Sequence, residues 1–231
     1  MKILVVIPAY NEEASIGGVV DDLKTNYPQY DYVVINDAST DNTRSVCRTN
    51  GYNYLDLPVN LGIGGAVQTG MKYAYLNGYD AALQFDGDGQ HNAGYISKLI
   101  EVMEAEEADI VIGSRFYGRG MPFSARMIGS RLLKLLMRLF AGCKISDPTS
   151  GMRLFHRDII KKFAYNMNYT PEPDTIAYLF SKGAKVSEVL VEMNERKAGT
   201  SYLTSARAMR YMLQMCVSIV FVQHFRKRNE G

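Results

Sequence analysis

Two acidic residues separated by one glycine, Asp86-Gly-Asp88, are the part of this sequence best suited to metal chemistry. They follow the apolar run 81–85 directly, which predicts a loop at the carboxyl end of a buried strand. Carboxylates at this spacing can present oxygens to one hard cation such as Mg²⁺ or Mn²⁺, whose shell substrate phosphates usually complete. An ordinary Asp-Gly turn is the alternative.

Polar segments also follow two other apolar runs, at residues 8–13 and 36–41. The sequence predicts strands over residues 3–7, 32–35, 54–57 and 81–85, and helices over 14–26, 41–50 and 66–77. Ser39 or Thr40 is expected to cap the second helix. This alternation predicts an α/β fold with a mostly parallel sheet, and the loops at 8–13, 36–41 and 86–91 should meet at one site.

Composition excludes several classes of protein. The 231 residues are 47% hydrophobic, which is ample for a packed core and excludes a disordered or fibrous chain. A net charge of +2 gives no global sign of a nucleic-acid partner. Three cysteines without metal-site or disulfide spacing favour a reducing, cytoplasmic compartment. We expect neither a signal peptide nor a membrane-spanning helix.

Five motifs occur in the order and approximate spacing of family-2 glycosyltransferases of the GT-A fold. They are Val6-Ile-Pro-Ala-Tyr-Asn-Glu-Glu13, Val34-Ile-Asn-Asp-Ala-Ser-Thr-Asp-Asn-Thr43, Asn60-Leu-Gly-Ile-Gly-Gly-Ala66, Phe85-Asp-Gly-Asp-Gly-Gln90 and Gly113-Ser-Arg115. The sequence most resembles the dolichol-phosphate mannosyltransferase-like, or polyprenyl-phosphate glycosyltransferase, branch. The resemblance covers roughly residues 1–203, and residues 204–231 are interpreted as a C-terminal amphipathic helix with a basic tail.

The resemblance implies a donor site for a nucleotide sugar. The residues that it assigns to this site are Pro8, Ala9, Tyr10, Glu12, Asp37, Gly64, Asp86 and Gln90. Within this set Asp37 would bind the base, and Asp86 would hold the metal together with Asp88. An Asx turn or helix cap is the alternative for Asp37. We interpret the glycines at 62, 64 and 65 as a tight turn that lets the backbone approach the nucleotide.

The same resemblance implies an acceptor site. Arg115 would lie near the phosphates, with a surface arginine as the alternative. In the segment Asp147-Pro-Thr-Ser150-Gly-Met-Arg153, Asp147 would face the acceptor, and Ser150 is included among the acceptor residues. Arg196 belongs to a loop that would cover the active site.

The chemistry of the acceptor decides whether a base is needed. A sugar hydroxyl would require Asp147 or Asp174 to accept its proton, whereas a phosphate monoester is already ionised at pH 7. The segment Pro171-Glu-Pro-Asp174 departs from the Glu-Asp pair of hydroxyl-directed relatives, which favours a phosphate acceptor.

A basic amphipathic segment is the second informative region. From Arg115 to Lys144 there are seven basic residues and no acidic one. Four of them, Arg126, Arg131, Lys134 and Arg138, alternate with apolar residues at helical spacing, which is typical of a helix on an anionic membrane surface. The alternative is a helix that packs on its own core and exposes a basic face.

The apolar stretch 211–225 is expected to bury a face against lipid, an integral membrane partner or a second copy of the chain. The residues of that face are Tyr211, Met212, Met215, Ile219 and Val222. The alternative is a helix folded back onto the catalytic domain. Either way, we expect peripheral attachment to the inner face of the membrane.

Together these features predict a metal-dependent, inverting transfer of a sugar from a UDP- or GDP-sugar to membrane polyprenyl phosphate, in cell-envelope glycan biosynthesis. Transfer to a hydroxyl of a lipid-linked glycan is the nearest alternative. A nucleotidyltransferase would need a glycine-rich basic loop after the first strand, where this chain has Pro8-Ala-Tyr-Asn-Glu-Glu13.

Overall fold

A computed structural model describes residues 1–122, 125–165, 170–194 and 205–222. The strands are β1 (Ile3–Ala9), β2 (Asp31–Asn36), β3 (Tyr54–Asp56), β4 (Ala81–Gln84), β5 (Ile110–Ser114), β6 (Arg153–His156) and β7 (Val186–Leu190). The helices are α1 (Ile16–Asn26), α2 (Thr43–Thr49), α3 (Gly62–Leu76), α4 (Ile96–Ala105), α5 (Ala125–Ala141), α6 (Arg157–Tyr165), α7 (Pro173–Ser181) and α8 (Ser205–Val217). A π-helical turn, Ser218–Val222, continues α8.

The described strands form one sheet in the order β3-β2-β1-β4-β6-β5-β7. The pairs β1–β2, β1–β4, β2–β3 and β5–β7 are parallel, which confirms the expected mostly parallel α/β sheet. Strand β6 runs antiparallel to both β4 and β5, and the sequence had not predicted it. Because β6 lies between them, the residues just before it reach the carboxyl ends of both neighbouring strands.

The sheet is buried on both faces. In β1, Leu4 and Val6 pack into one hydrophobic cluster, with residues of α3, α5, α6, α7 and α8. Ile3, Val5 and Ile7 pack into the other, with residues of α1 and α4. Alternate residues of a strand point to opposite faces, so a strand covered on both sides has to be apolar throughout.

Two helix starts differ from the prediction. Asn42 precedes α2, and neither Ser39 nor Thr40 caps it, because the Ser39 hydroxyl instead accepts a hydrogen bond from the Asn11 amide at 3.0 Å. Helix α3 begins at Gly62 instead of Ala66, so the glycine-rich segment forms the first helical turn and not a separate loop. Only Gly62 of this segment has a positive φ, at 74°.

The C-terminal helix folds back onto the domain. Met215 and Ile219 are 7% and 1% exposed and belong to the core cluster that also contains residues of α3 and α7. On α5, a Cβ on Gly129 would lie 2.7 Å from Met212 Cε, so the two helices touch closely there. Met215 and Ile219 of the face expected to meet lipid or a partner therefore pack inward, as in the alternative of a helix folded back onto the domain. The side chain of Val222 lies outside the described residues. The expected boundary at residue 203 lies outside the described residues.

Candidate active site

The loops after β1 and β2 are joined by hydrogen bonds. The Asn11 side chain accepts from the Thr40 amide at 2.8 Å, and the Thr43 hydroxyl accepts from the Glu12 amide at 2.8 Å. The loop after β4 meets the end of β1, since a Cβ on Gly87 would lie 3.1 Å from the Pro8 carbonyl oxygen. These contacts confirm that the three predicted loops meet at one edge of the sheet.

Asp86 and Asp88 differ in their surroundings. Asp86 Oδ1 is buried and accepts no hydrogen bond from any described residue. The Asp86 amide donates to His91 Nδ1 at 2.9 Å, which fixes the backbone of the loop. Asp88 is 7% exposed, and its Oδ1 accepts from the Gln90 amide at 3.0 Å.

The donor set at this loop fits a divalent cation. A buried carboxylate oxygen without a hydrogen-bond donor is costly unless a cation or another donor compensates for it. Within the described ranges, no group of three or more His, Cys, Asp or Glu side chains is placed to hold a metal. A cation held by Asp86 and Asp88 would therefore need further oxygens, as from a diphosphate.

Gly151 makes room for Asp86. A Cβ at position 151 would lie 2.5 Å from Asp86 Oδ2, a separation that carbon and oxygen atoms do not tolerate without displacement. The segment before β6 thus approaches the acidic loop with only hydrogen at this position. The sequence motif contained Gly151, but its contact with Asp86 depends on the antiparallel β6, which the sequence did not reveal.

Asp37 follows β2 and forms hydrogen bonds to β1 and to the residue before α3. Its carboxylate accepts from the Leu61 amide at 2.7 Å, just before α3, and its own amide donates to the Ala9 carbonyl at 2.9 Å. The side chain is 3% exposed. Asp37 therefore holds the residue that precedes α3 from a distant part of the chain, which differs from the local turn or cap considered from sequence, and its contact with a base stays a prediction.

The remaining residues assigned to the donor site differ in burial and in what they contact. Pro8 and Ala9 end β1 and are buried, so they can offer a ligand little besides backbone atoms. Tyr10 and Glu12 are half-buried, and the Glu12 carboxylate accepts from the Ser15 hydroxyl at 2.6 Å. Gly64 faces another part of the protein, because its Cβ would lie 3.0 Å from Thr170 Cβ.

Arg115 and Asp147 form a two-pronged ion pair. Arg115 Nε donates to Asp147 Oδ2 at 2.6 Å, and its Nη2 donates to Oδ1 at 2.8 Å. The Asp147 side chain is 0% exposed, whereas that of Arg115 is 31% exposed. That Asp147 faces the acceptor stays a prediction; because its carboxylate is buried, Arg115 is the member of the pair whose side chain is partly exposed.

Ser150 is likewise buried. Its hydroxyl donates to the Gly113 carbonyl at 2.5 Å and is 0% exposed. It joins the segment before β6 to β5, and its place among the acceptor residues stays a prediction. Asp174 is 6% exposed, and its Oδ2 accepts from the Ser218 hydroxyl at 2.5 Å.

Glu188 is a residue of this site that the sequence did not single out. Both of its carboxylate oxygens lie 2.8 Å from the Ser146 amide nitrogen, and one also accepts from the Asp147 amide. It lies on β7, which was not predicted, and no motif marks it. Its role is to fix the backbone that carries Asp147.

The predicted acceptor and membrane residues are spread over two regions. The Arg131 guanidinium donates to the Met121 carbonyl at 2.6 Å, and Lys134 and Arg138 are exposed on α5. Arg196 and the side chain of Arg126 lie outside the described part of the chain. The Asn194 amide, close before Arg196, donates to the Gln90 carbonyl at 2.8 Å.

Comparisons with known proteins agree on one family. Residues 4–163 match the family model described as glycosyl transferase family 2. An undecaprenyl-phosphate mannosyltransferase from Micrococcus luteus is 29% identical over 217 residues, covering 88% of each chain. A UDP-N-acetylglucosamine–dolichyl-phosphate N-acetylglucosaminyltransferase from Methanococcus voltae is 32% identical over 180 residues, covering 69% of this chain and 71% of the relative.

Among solved structures, glucosyl-3-phosphoglycerate synthase from Mycobacterium tuberculosis, in complex with Mn²⁺, uridine diphosphate and phosphoglyceric acid, has a similar fold. The TM-score is 0.70 at 20% identity, and the match covers 94% of this chain and 78% of that one. This likeness agrees with the GT-A architecture.

Proposed function

We propose that this chain, which belongs to glycosyl transferase family 2, transfers a sugar from a nucleotide-sugar donor to a polyprenyl phosphate. One observation carries the choice of acceptor. Both side chains considered as a base, Asp147 and Asp174, are buried and hydrogen-bonded within the protein. A hydroxyl acceptor would find neither of them accessible, whereas an ionised phosphate needs no base.

The relatives support the same acceptor. The proteins from Micrococcus luteus and Methanococcus voltae are named for transfer to undecaprenyl phosphate and to dolichyl phosphate. Both matches extend well beyond the donor half of the chain. The proposal covers a donor with either UDP or GDP, and it assigns no particular sugar.

On the donor side, we assign the nucleotide to the edge of the sheet formed by Tyr10, Glu12, Asp37 and Gln90. Asp86 and Asp88 would hold Mg²⁺ or Mn²⁺, which when bound neutralises charge on the departing nucleoside diphosphate. Arg115 presents its exposed edge to a phosphate, since Asp147 holds the guanidinium plane in place. Direct attack of the acceptor phosphate on the anomeric carbon would invert its configuration.

Helix α5 supports a peripheral place on the membrane. Its core side carries Leu133 and Met137, both 0% exposed. The outer stripe consists of Ile128, Leu132, Leu135 and Leu139, which are 60%, 46%, 51% and 67% exposed. Exposing a contiguous apolar stripe to water is unfavourable, so this surface is suited to bind a membrane or another protein.

Charge favours lipid as the partner of this surface. Lys134 and Arg138 are exposed beside the apolar stripe of α5, and the pairing suits anionic headgroups. On the neighbouring α8, Leu213 and Val217 are also exposed. We therefore propose attachment to the cytoplasmic face of the membrane through α5 and this outer face of α8. None of the helices within the described ranges combines the length and apolar character needed to cross a bilayer.

The experiment is a panel of labelled UDP- and GDP-sugars incubated with short-chain polyprenyl phosphate and Mg²⁺ or Mn²⁺. We expect one donor to give a labelled glycolipid together with the free nucleoside diphosphate. Label that appears only when a lipid-linked glycan replaces the polyprenyl phosphate would assign the enzyme to a hydroxyl acceptor.

A further inference from the structure

A partly buried polar cluster joins the C-terminal helix to the segment before α7. The Tyr211 hydroxyl on α8 donates a short hydrogen bond to Glu172 Oε2. The other carboxylate oxygen of Glu172 points toward the start of α3, 3.6 Å from where a Cβ on Gly64 would lie. Glu172 thus lies between α8 and the first turn of α3.

Arg153 connects this cluster to the acceptor side. It is 4% exposed and donates from Nη2 to the Pro148 carbonyl at 2.9 Å and from Nη1 to the Pro171 carbonyl. Pro148 follows Asp147 in the chain, and Pro171 precedes Glu172. Arg153 therefore links the loop that holds Arg115 to the segment that carries Glu172.

The charge on Arg153 needs a partner. Its Nε is buried and meets no hydrogen-bond acceptor among the described residues. A buried guanidinium is costly without a compensating anion. The Pro171 carbonyl that accepts from Arg153 belongs to the residue before Glu172, and Arg153 lowers the pKa of the Glu172 carboxyl. Ionised Glu172 is thus suited to stabilise Arg153 in place.

We propose that Glu172 and Tyr211 are positioning residues for the transfer reaction. Ionised Glu172, held by Tyr211, fixes Arg153 and through it the loop against which Arg115 rests. The proposal rests on the proposed function in that Arg115 is taken to contact the phosphates. It gives the C-terminal helix a part in the activity, because removing one hydroxyl on α8 should alter the site around Arg115, which is distant from α8 in the sequence.

Burial and the groups around Glu172 shift the pKa of its carboxyl. Burial raises the pKa of Glu172, the Tyr211 hydrogen bond and Arg153 on β6 lower it, and Asp174 on α7 raises it further. Replacing the Tyr211 hydroxyl removes one of the two lowering contributions. In Tyr211→Phe the Glu172 carboxyl should therefore hold its proton to higher pH than in the wild type.

The test is the pH dependence of kcat for wild type, Tyr211→Phe and Glu172→Gln. In Tyr211→Phe we expect the acid-side midpoint to rise by about one pH unit, with the KM for donor little changed. Glu172→Gln has no carboxyl to titrate, so we expect kcat reduced by about tenfold and no such midpoint. Tyr79→Phe is the matched control, since it removes a 3.0 Å bond to Asp31 at the far edge of the sheet.

A second readout needs no acceptor. Burial raises the pKa of Glu172 in the folded protein above its value in the unfolded chain. Stability is therefore lost as pH rises from the unfolded-state pKa to the higher folded-state pKa. In Tyr211→Phe the folded-state pKa of Glu172 is higher still, so the loss of stability continues to higher pH. The melting temperature of this variant should therefore fall further below that of wild type as pH rises. The proposal would be overturned if the acid-side midpoint of kcat in Tyr211→Phe equals that of wild type. It would also be overturned if Tyr79→Phe shifts this midpoint by the same amount. Failure of polyprenyl phosphate as acceptor would leave the melting result unaffected.

Discussion

The carboxylate of Asp147 is wholly buried and accepts two hydrogen bonds from the half-exposed guanidinium of Arg115. The Thr149 hydroxyl extends the pair, accepting from Arg115 Nη2 at 3.0 Å and approaching Ser130 on α5 at 3.3 Å. A cation held this rigidly loses little entropy on binding a phosphate. The pair is therefore interpreted as a prepared anion site and not as an acid–base group.

Asp147→Asn should lower both stability and activity. The amide keeps one acceptor oxygen but removes the charge that fixes Arg115, so we expect about 3 kcal/mol less stability and roughly a hundredfold lower kcat. Steady-state kinetics and denaturant unfolding would measure the two effects. Asp158→Asn, an exposed carboxylate on α6, is the control and should change neither. Full activity of Asp147→Asn would contradict the role assigned to the pair.

Gly151→Ala should weaken metal binding specifically. The added Cβ would lie 2.5 Å from Asp86 Oδ2 and must displace that carboxylate. We expect a higher Mn²⁺ concentration for half-maximal activity, by about tenfold or more. Gly18→Ala on α1, where a Cβ would meet nothing within 4 Å, should leave the metal requirement unchanged. The same metal dependence in Gly151→Ala and wild type would show that this close approach has no effect on the cation site.

Asp37 combines a structural bond with a predicted ligand contact, and two variants separate them. Asp37→Ala removes both, so we expect about 1 kcal/mol less stability and about 1.5 to 3 kcal/mol weaker nucleotide binding. Asp37→Asn keeps an oxygen for the Leu61 amide and removes only the charge. It should retain most of the stability and lose affinity in calorimetry. If Asp37→Asn binds nucleotide like wild type, the charge makes no contact with the base.

The sequence predicts local features of this fold well. Strand β1 is a continuous apolar run, and Asp86-Gly-Asp88 follows directly on the segment that contains β4. Features that depend on distant contacts were missed. Asp147 pairs with Arg115, 32 positions away, and the inward face of α8 is set by helices that are distant from it in sequence. Strand β6 was missed because four residues with mixed polarity carry little strand signal.

Membrane attachment should depend on the outer stripe of α5 and on its charges. Wild type is expected to float with anionic vesicles at low salt and to detach as salt rises, since each exposed Lys or Arg contributes about 1 kcal/mol near an anionic surface. Lys134→Glu with Arg138→Glu should abolish flotation. So should Leu132→Gln with Leu135→Gln, by exposing polar groups to the acyl region.

The control for flotation is Lys161→Glu with Lys162→Glu on α6, which changes the net charge by the same amount at exposed positions away from the apolar stripe. This variant should float like wild type. If it detaches as readily as the α5 variants, net charge and not the α5 surface governs binding. Wild type that stays in solution with every lipid at low salt would exclude direct attachment through α5.

The most direct test of the central claim compares two acceptors that differ only in their phosphate. Purified wild type, with its labelled nucleotide sugar and Mg²⁺ or Mn²⁺, is given a polyprenyl phosphate or the polyprenol of equal length. Asp88→Ala serves as the inactive control. We predict labelled glycolipid from the phosphate at a rate about a hundredfold or more above that from the alcohol. The exposed part of Arg115 can bind the phosphate, whereas Asp147 and Asp174, the two side chains considered as a base for a hydroxyl, are buried. Comparable rates with the two acceptors, or undiminished transfer by Asp88→Ala, would contradict the account.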